Sequence, residues 1–232
     1  MAFTWSEKTI NWYAAAVAFT GFGQKLADVL TNFLPKNETV CDMGCGIGYL
    51  ALELASRGYR VTAIDKDTRA IGWLRNELQR RGISLLEVVE RDWLSLRDRP
   101  LWDNIVMVSA GRRSDKDLFF RSLCRKRLII IDRTNLDSHV RSDGGTSVWC
   151  LNLPTERGEH LTLTFSLEFG QPLKSVEDAR DYISTFGGAE TLEDTLSTLI
   201  NTGNADYPFY LPYRKNLELI IKPSVWHVTT DC

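Results

Sequence analysis

Apolar residues recur at helical spacing through residues 6–34, at Trp12, Ala15, Ala16 and Phe19 and again at Leu26, Val29, Leu30 and Phe33. Gly21 and Gly23 divide this stretch into two expected helices, and Pro35-Lys36-Asn37 ends it. The run Thr39-Val40-Cys41-Asp42-Met43 then reads as a short buried strand leading into glycines. A strand–helix rhythm follows, with helices expected over 50–57, 68–81 and 116–124. Strands are expected over 59–64, 83–89, 101–108 and 128–131. Nearly all-apolar strands alternating with helices predict a doubly wound α/β fold around a mostly parallel sheet covered on both faces.

The rhythm changes after about residue 135. Residues 147–153 and 160–169 read as an antiparallel pair around a turn-prone 155–159. In the second of these, Leu161, Leu163, Phe165 and Leu167 alternate with Thr162, Thr164 and Ser166, the period of a strand buried on one face. Helices are expected over 176–186 and 192–202, and a last strand over 217–221. With no internal repeat or low-complexity linker, the chain reads as one domain. Its parts are an N-terminal helical cover (1–37), a core (38–135), a substrate-side hairpin-and-helix insertion (136–205) and a closing strand with tail (206–232).

Composition narrows the function classes. A net charge of -2 gives no overall field to draw in nucleic acid or an anionic membrane. The start of the chain lacks the basic and apolar runs of a secretion signal, and no apolar stretch is long enough to span a bilayer. A cytoplasmic location is therefore expected. The cysteines at 41, 45, 124, 150 and 232 are odd in number and scattered, which suggests reduced thiols. Cys41 and Cys45 have no second Cys/His pair at ligand spacing, so no metal site is expected.

The chemistry concentrates in Asp42-Met43-Gly44-Cys45-Gly46-Ile47-Gly48-Tyr49, between an expected strand and helix. Glycines at 44, 46 and 48 allow a sharp turn and close approach of a ligand, with helix N-terminal N–H groups behind them. Three acids fall near strand ends. Asp42 is placed to meet a cationic amino group, Asp65 to accept from both hydroxyls of a ribose, and Asp92 to receive an adenine amino group. That set describes a nucleoside with an amino-acid-like tail and no pyrophosphate. A dinucleotide fingerprint would need a glycine at position 49, which is Tyr49.

On these residues the stretch from Thr39 to about Arg133 resembles the class I S-adenosylmethionine-dependent methyltransferase superfamily. TVCDMGCGIGYLALELA is similar to its first motif, VTAIDKD to its second, and VVERDWLSL to the region that closes over adenine. The resemblance implies a Rossmann-like, seven-stranded type of sheet, S-adenosylmethionine as cofactor and S-adenosylhomocysteine as product. It implies that Asp42, Gly44, Gly46 and Gly48 line the methionine moiety and that Asp65, with Lys66 beside it, holds the ribose. Asp92 and Trp93 would flank adenine, and Ser109 and Ala110 would lie nearest the methyl group. Cys45 stands where the superfamily often has Cys or another small residue.

Methyl transfer from a sulfonium is an in-line displacement, so positioning is the main task. No base announces itself. The Pro-Pro-aromatic motif of some nitrogen-methylating members is replaced here by VMVSAGRRSD. His139 is the best placed of the three histidines, ahead of His160 and His227. On the substrate side the candidates are Trp5 and Tyr13 in a possible N-terminal lid, Arg112 and Arg113 after the fourth strand, and Glu168 and Gln171 at a forced turn. A small-molecule acceptor is expected, since no nucleic-acid-binding module is recognisable. The alternatives are an RNA or protein methyltransferase using the basic run 112–127, or a cofactor-binding subunit without turnover.

Overall fold

The computed structural model describes residues 4–96, 101–110, 117–134, 148–149, 160–186 and 192–224. Two helices open the chain, α1 (Glu7–Thr20) and α2 (Phe22–Thr31). Ser6 caps α1 by accepting from the Thr9 N–H at 3.1 Å, while the Thr9 hydroxyl accepts from the Ser6 N–H at 2.9 Å. Gly21, at φ 65°, both ends α1 and starts α2, and Gly23 lies inside α2. The alternating core follows: β1 (Thr39–Met43), α3 (Tyr49–Ser56), β2 (Arg60–Asp65), α4 (Thr68–Arg81) and β3 (Leu86–Glu90). It continues through a 3-10 turn (Trp93–Ser95) to β4 (Trp102–Val108), α5 (Asp117–Leu123) and β5 (Cys124–Arg133).

The remaining elements are β6 (Val148–Trp149), β7 (Leu161–Glu168), β8 (Gln171–Leu173), α6 (Val176–Phe186), α7 (Leu192–Ser197), β9 (Ile200–Asn201), β10 (Phe209–Leu211) and β11 (Arg214–Pro223). The main sheet runs β3-β2-β1-β4-β5-β11-β7-β6. The first five in that order are parallel, and β11 is antiparallel to both β5 and β7. This is the expected Rossmann-like sheet with its antiparallel end, extended by the two-residue β6. The chain winds away from β1 in both directions, so the switch point where such sheets bind ligands lies at the carboxyl ends of β1 and β4.

Alternation along the strands divides the core. Val40, Val106, Ile129, Ile131, Leu217 and Leu219 face one layer, which includes Leu26 and Leu30 of α2 and Leu50 and Leu54 of α3. Cys41, Met43, Ile105, Met107 and Leu128 face the other, with Phe120 and Leu123 of α5. Among the described residues, Cys41, Cys45 and Cys124 are buried free thiols, and no helix is long and apolar enough to cross a membrane.

The structure departs from the sequence reading in the last third. Residues 192–202 are not one helix: α7 stops at Ser197, and Ile200–Asn201 pairs with β10. The β-branched Thr198, Ile200 and Thr202 favour extension once β10 offers a partner. β8, β9 and β10 form a second, three-stranded antiparallel sheet. β5 begins four residues earlier than expected because Cys124 already pairs with Trp102 of β4, and Arg127 finds a buried partner in Glu38, at 2.9 Å. β11 likewise extends beyond 217–221 in both directions.

Candidate functional site

The glycine loop is held by its neighbours. The Gly44 and Cys45 N–H groups both donate to the Ile64 carbonyl, at 2.7 and 3.0 Å. Asp65, ending β2, accepts from the Gly46 N–H at 2.8 Å on one oxygen and from the Asp67 N–H at 2.9 Å on the other. Asp67 caps α4 through the Arg69 and Ala70 N–H groups and accepts from the Trp5 N–H at 3.3 Å. Gly44 and Gly46 have φ of 74° and 55°. A Cβ on Gly44 would stand 2.5 Å from Trp93 Cζ3 and 2.8 Å from Ala110 Cβ; one on Gly46 would stand 2.8 Å from Trp5 Cζ2. Two indoles therefore approach the loop in a way only glycine permits.

Asp42, on the inner face of β1, is 2% exposed. Burial pushes its carboxyl up to about 7, against the Ala51 N–H, which lowers it, and with the Asp65 charge raising it further. No cation among the described residues pairs with it. Asp92 caps the 3-10 turn, accepting from the Leu94 N–H at 3.0 Å, and Lys66 Nζ lies 3.7 Å from its other oxygen. Both of those side chains are well exposed, so the pair adds little stability. Ser109, just past β4, is the one non-glycine described residue in the left-handed region, at φ 50°, while its N–H donates to Ile131 at 2.8 Å. That conformation is costly for a residue with a Cβ and sits at the switch point.

One cavity of about 1870 Å³ joins these groups to the N-terminal helices. Trp5 packs edge-on against Tyr13, with ring centroids 5.3 Å apart, and its carbonyl accepts from Arg69 at 2.8 Å. α1 is fastened over the cavity by the Trp12 indole N–H, which donates to Asp178 at 2.8 Å. The Gln171 amide adds a second tie, donating to the Trp12 carbonyl at 3.0 Å. Beneath them, Lys215 of β11 is 7% exposed. Its Nζ lies 3.2 Å from the Phe169 ring centroid, 4.9 Å from Phe22 and 5.2 Å from Tyr13. Burial, with the Arg133 charge beside it, pulls the ammonium down from the usual lysine range to about 7.

Asp42, Gly44, Cys45, Gly46, Asp65, Lys66, Asp92, Trp93, Ser109 and Ala110 all border this cavity, as do Trp5, Tyr13 and Gln171. Gly48 instead caps α3 at φ 69°, with its N–H donating to the Cys45 carbonyl at 2.9 Å. Glu168 is a correction: its carboxylate accepts from the Tyr210 hydroxyl, and it is not among the cavity's lining residues. Arg112, Arg113, His139 and His227 lie outside the described residues. His160 is exposed and away from the cavity. The described cations of the basic run are tied to neighbouring groups. Arg121 and Arg125 donate to the Pro223 and Leu101 carbonyls at 2.8 and 3.1 Å, and Lys126 and Arg127 to Glu38. Sequence reasoning missed Lys215, though a signal existed: carried back from Leu217, the alternation of β11 puts position 215 in the buried row.

Residues 23–108 match the family model of the methyltransferase small domain. A probable ribosomal RNA small subunit methyltransferase A of Methanosphaera stadtmanae is 32% identical over 83 residues, 35% of this chain and 30% of that protein. A probable cobalt-precorrin-6B C(15)-methyltransferase (decarboxylating) of Methanothermobacter thermautotrophicus is 48% identical over 48 residues, 21% of this chain and 25% of that protein. The chain thus spans less than a third of the length of these two relatives. A solved structure from work on conversion of a disulfide bond into a thioacetal group in echinomycin biosynthesis superposes with a TM-score of 0.50 at 14% identity. That superposition covers 88% of this chain and 82% of the other, and it shows the fold. The family match lies on the strand–glycine loop–helix unit of a sheet wound in this order, so it is this part of the chain, residues 23–108, that is similar to the methyltransferase small domain.

Proposed function

We propose that the chain transfers a methyl group from S-adenosylmethionine to a small-molecule acceptor held in the cavity between the glycine loop and β11. The observation that carries this reading is the continuity of that cavity, with the acids and glycines at one end and rings and a buried lysine at the other.

The residues suit the cofactor. Asp42 is a buried carboxyl group without a cation partner among the described residues, and an ammonium beside it would favour its charged form. At Gly44 and Gly46 the Trp93 and Trp5 indoles occupy the space a Cβ would fill, which gives a cofactor flat apolar faces beside the loop. Asp65 spends one lone pair of each oxygen on the loop, which leaves acceptor capacity for ribose hydroxyls. Trp93 and Asp92 supply a flat face and an acceptor for adenine. The bound cofactor supplies an electrophilic methyl on sulfur. The chain's part is to hold the acceptor atom in line with it and to keep water out, with Trp5 and Tyr13 covering the loop.

A macromolecular acceptor is less well supported. The described part of the basic run lies at the end of α5 and the start of β5, and Arg133 at the other end of β5 borders the cavity. The seven residue steps of strand from Lys126 to Arg133 span about 23 Å, so those cations do not frame the cavity mouth. The test is to incubate the protein with methyl-labelled S-adenosylmethionine and either a small-metabolite extract or total RNA. Label in the small-molecule fraction alone supports the reading. Label in RNA alone contradicts it.

A further inference from the structure

Two cations border the acceptor end of the cavity, and neither has a carboxylate partner among the described residues. Leu217 of β11 pairs with Arg133 of β5, so these two project to one face of the sheet, and Lys215 lies two residues along on that same face. Asp132 and its cross-strand partner Glu218 alternate to the opposite face, although Asp132 also borders the cavity. Asp42 shares the inner face but sits on β1, with β4 and β5 between it and β11. Arg133 is exposed at the rim, whereas Lys215 lies on the floor. An ammonium buried this far is rare unless paired. Contact with three rings offsets only part of its lost hydration. The rings of Tyr13, Phe169 and Tyr182 complete the walls.

We propose that Lys215 and Arg133 bind the carboxylate of an aromatic acid, the methyl acceptor, whose ring lies among Tyr13, Phe169 and Tyr182. This rests on the methyltransferase reading above and names its substrate class. A carboxylate reaching the floor gives Lys215 a counter-charge that none of the described residues supplies and relieves its repulsion from Arg133. A neutral analogue of the same shape leaves both cations as they are. The ring then projects back toward Ser109 and Ala110, where β4 ends.

The test is calorimetric titration of the full chain, with and without saturating S-adenosylhomocysteine, using 4-hydroxybenzoate, indole-3-acetate and the primary amide of each. The expected result is that at least one acid binds about tenfold or more tightly than its amide. Lys215→Met should abolish that preference and Arg133→Gln should reduce it, with S-adenosylhomocysteine affinity unchanged in both. Equal binding of acid and amide, a preference surviving in Lys215→Met, or no acid binding at millimolar concentration would overturn the proposal. Failure of S-adenosylhomocysteine to bind strikes the methyltransferase reading separately, since the acids are also titrated without it.

Discussion

The Asp65 carboxylate accepts the Gly46 N–H at 2.8 Å, tying the end of β2 to the middle of the glycine loop. The same side chain receives the Asp67 N–H, so it organises the loop and the start of α4 together. Asp65→Ala therefore removes an internal brace as well as the acceptor proposed for ribose. We expect cofactor affinity to fall by about 2–4 kcal/mol, more than one lost hydrogen bond. Asp65→Asn keeps a carbonyl oxygen for one brace and should lose less. Titration with S-adenosylhomocysteine checks both, and unchanged affinity in Asp65→Ala contradicts the ribose assignment.

Asp42 gives a pH prediction with a definite sign. Its folded-state pKa, about 7, is raised above the unfolded value near 4 by burial. Between these values the unfolded chain ionises and the folded chain does not. Its contribution to stability therefore falls as pH rises from about 4 to about 7 and is flat above. Asp42→Asn should remove that slope and stabilise the ligand-free protein at pH 8 by up to about 4 kcal/mol. Cofactor affinity should fall in the same variant, and wild-type affinity should decline as pH drops through 7. Denaturant melts and titrations at pH 5 and pH 8 read both effects.

Lys215 acts in the opposite direction. Burial and Arg133 lower its folded pKa from 10.5 to about 7. Above the unfolded value both states are neutral, and between about 7 and 10.5 only the unfolded chain holds the proton. The destabilisation from Lys215 thus grows as pH falls through this window and is complete below about 7. Lys215→Met should raise the melting temperature at pH 7 and give no gain at pH 10.5. Equal effects at the two pH values would contradict the buried placement.

Gly44 and Gly58 separate close approach from backbone freedom. Gly44→Ala puts a Cβ against Trp93 and Ala110 at φ 74°, whereas Gly58, at φ 89°, faces open space. Gly58→Ala should cost only about 1–2 kcal/mol for the left-handed backbone. Gly44→Ala should cost about 1–3 kcal/mol more from overpacking and should weaken cofactor binding. Thermal melts of the two variants, with and without S-adenosylhomocysteine, distinguish these effects.

Much of this architecture is legible in the chain itself. The limits of α4 are written in local chemistry, with Asp67 as cap and Gly82 at φ 63° as its end. The five parallel strands are legible because strands buried on both faces must be apolar throughout. What escaped detection lacked a period to read. β8, β9 and β10 are two or three residues long, and each exists because the others complete its hydrogen bonds. Glu168 looked like a free polar group at a turn, but its partner, Tyr210, is distant in sequence. Lys215 was passed over because a lysine ordinarily marks solvent, although the alternation of β11 places it in the buried row, where it pairs with Leu167 of β7.

The central claim is tested most directly by titrating the full chain with S-adenosylmethionine, S-adenosylhomocysteine and NAD in parallel. The account predicts micromolar binding of the two sulfur nucleosides and none of NAD. Binding of NAD alone would contradict it.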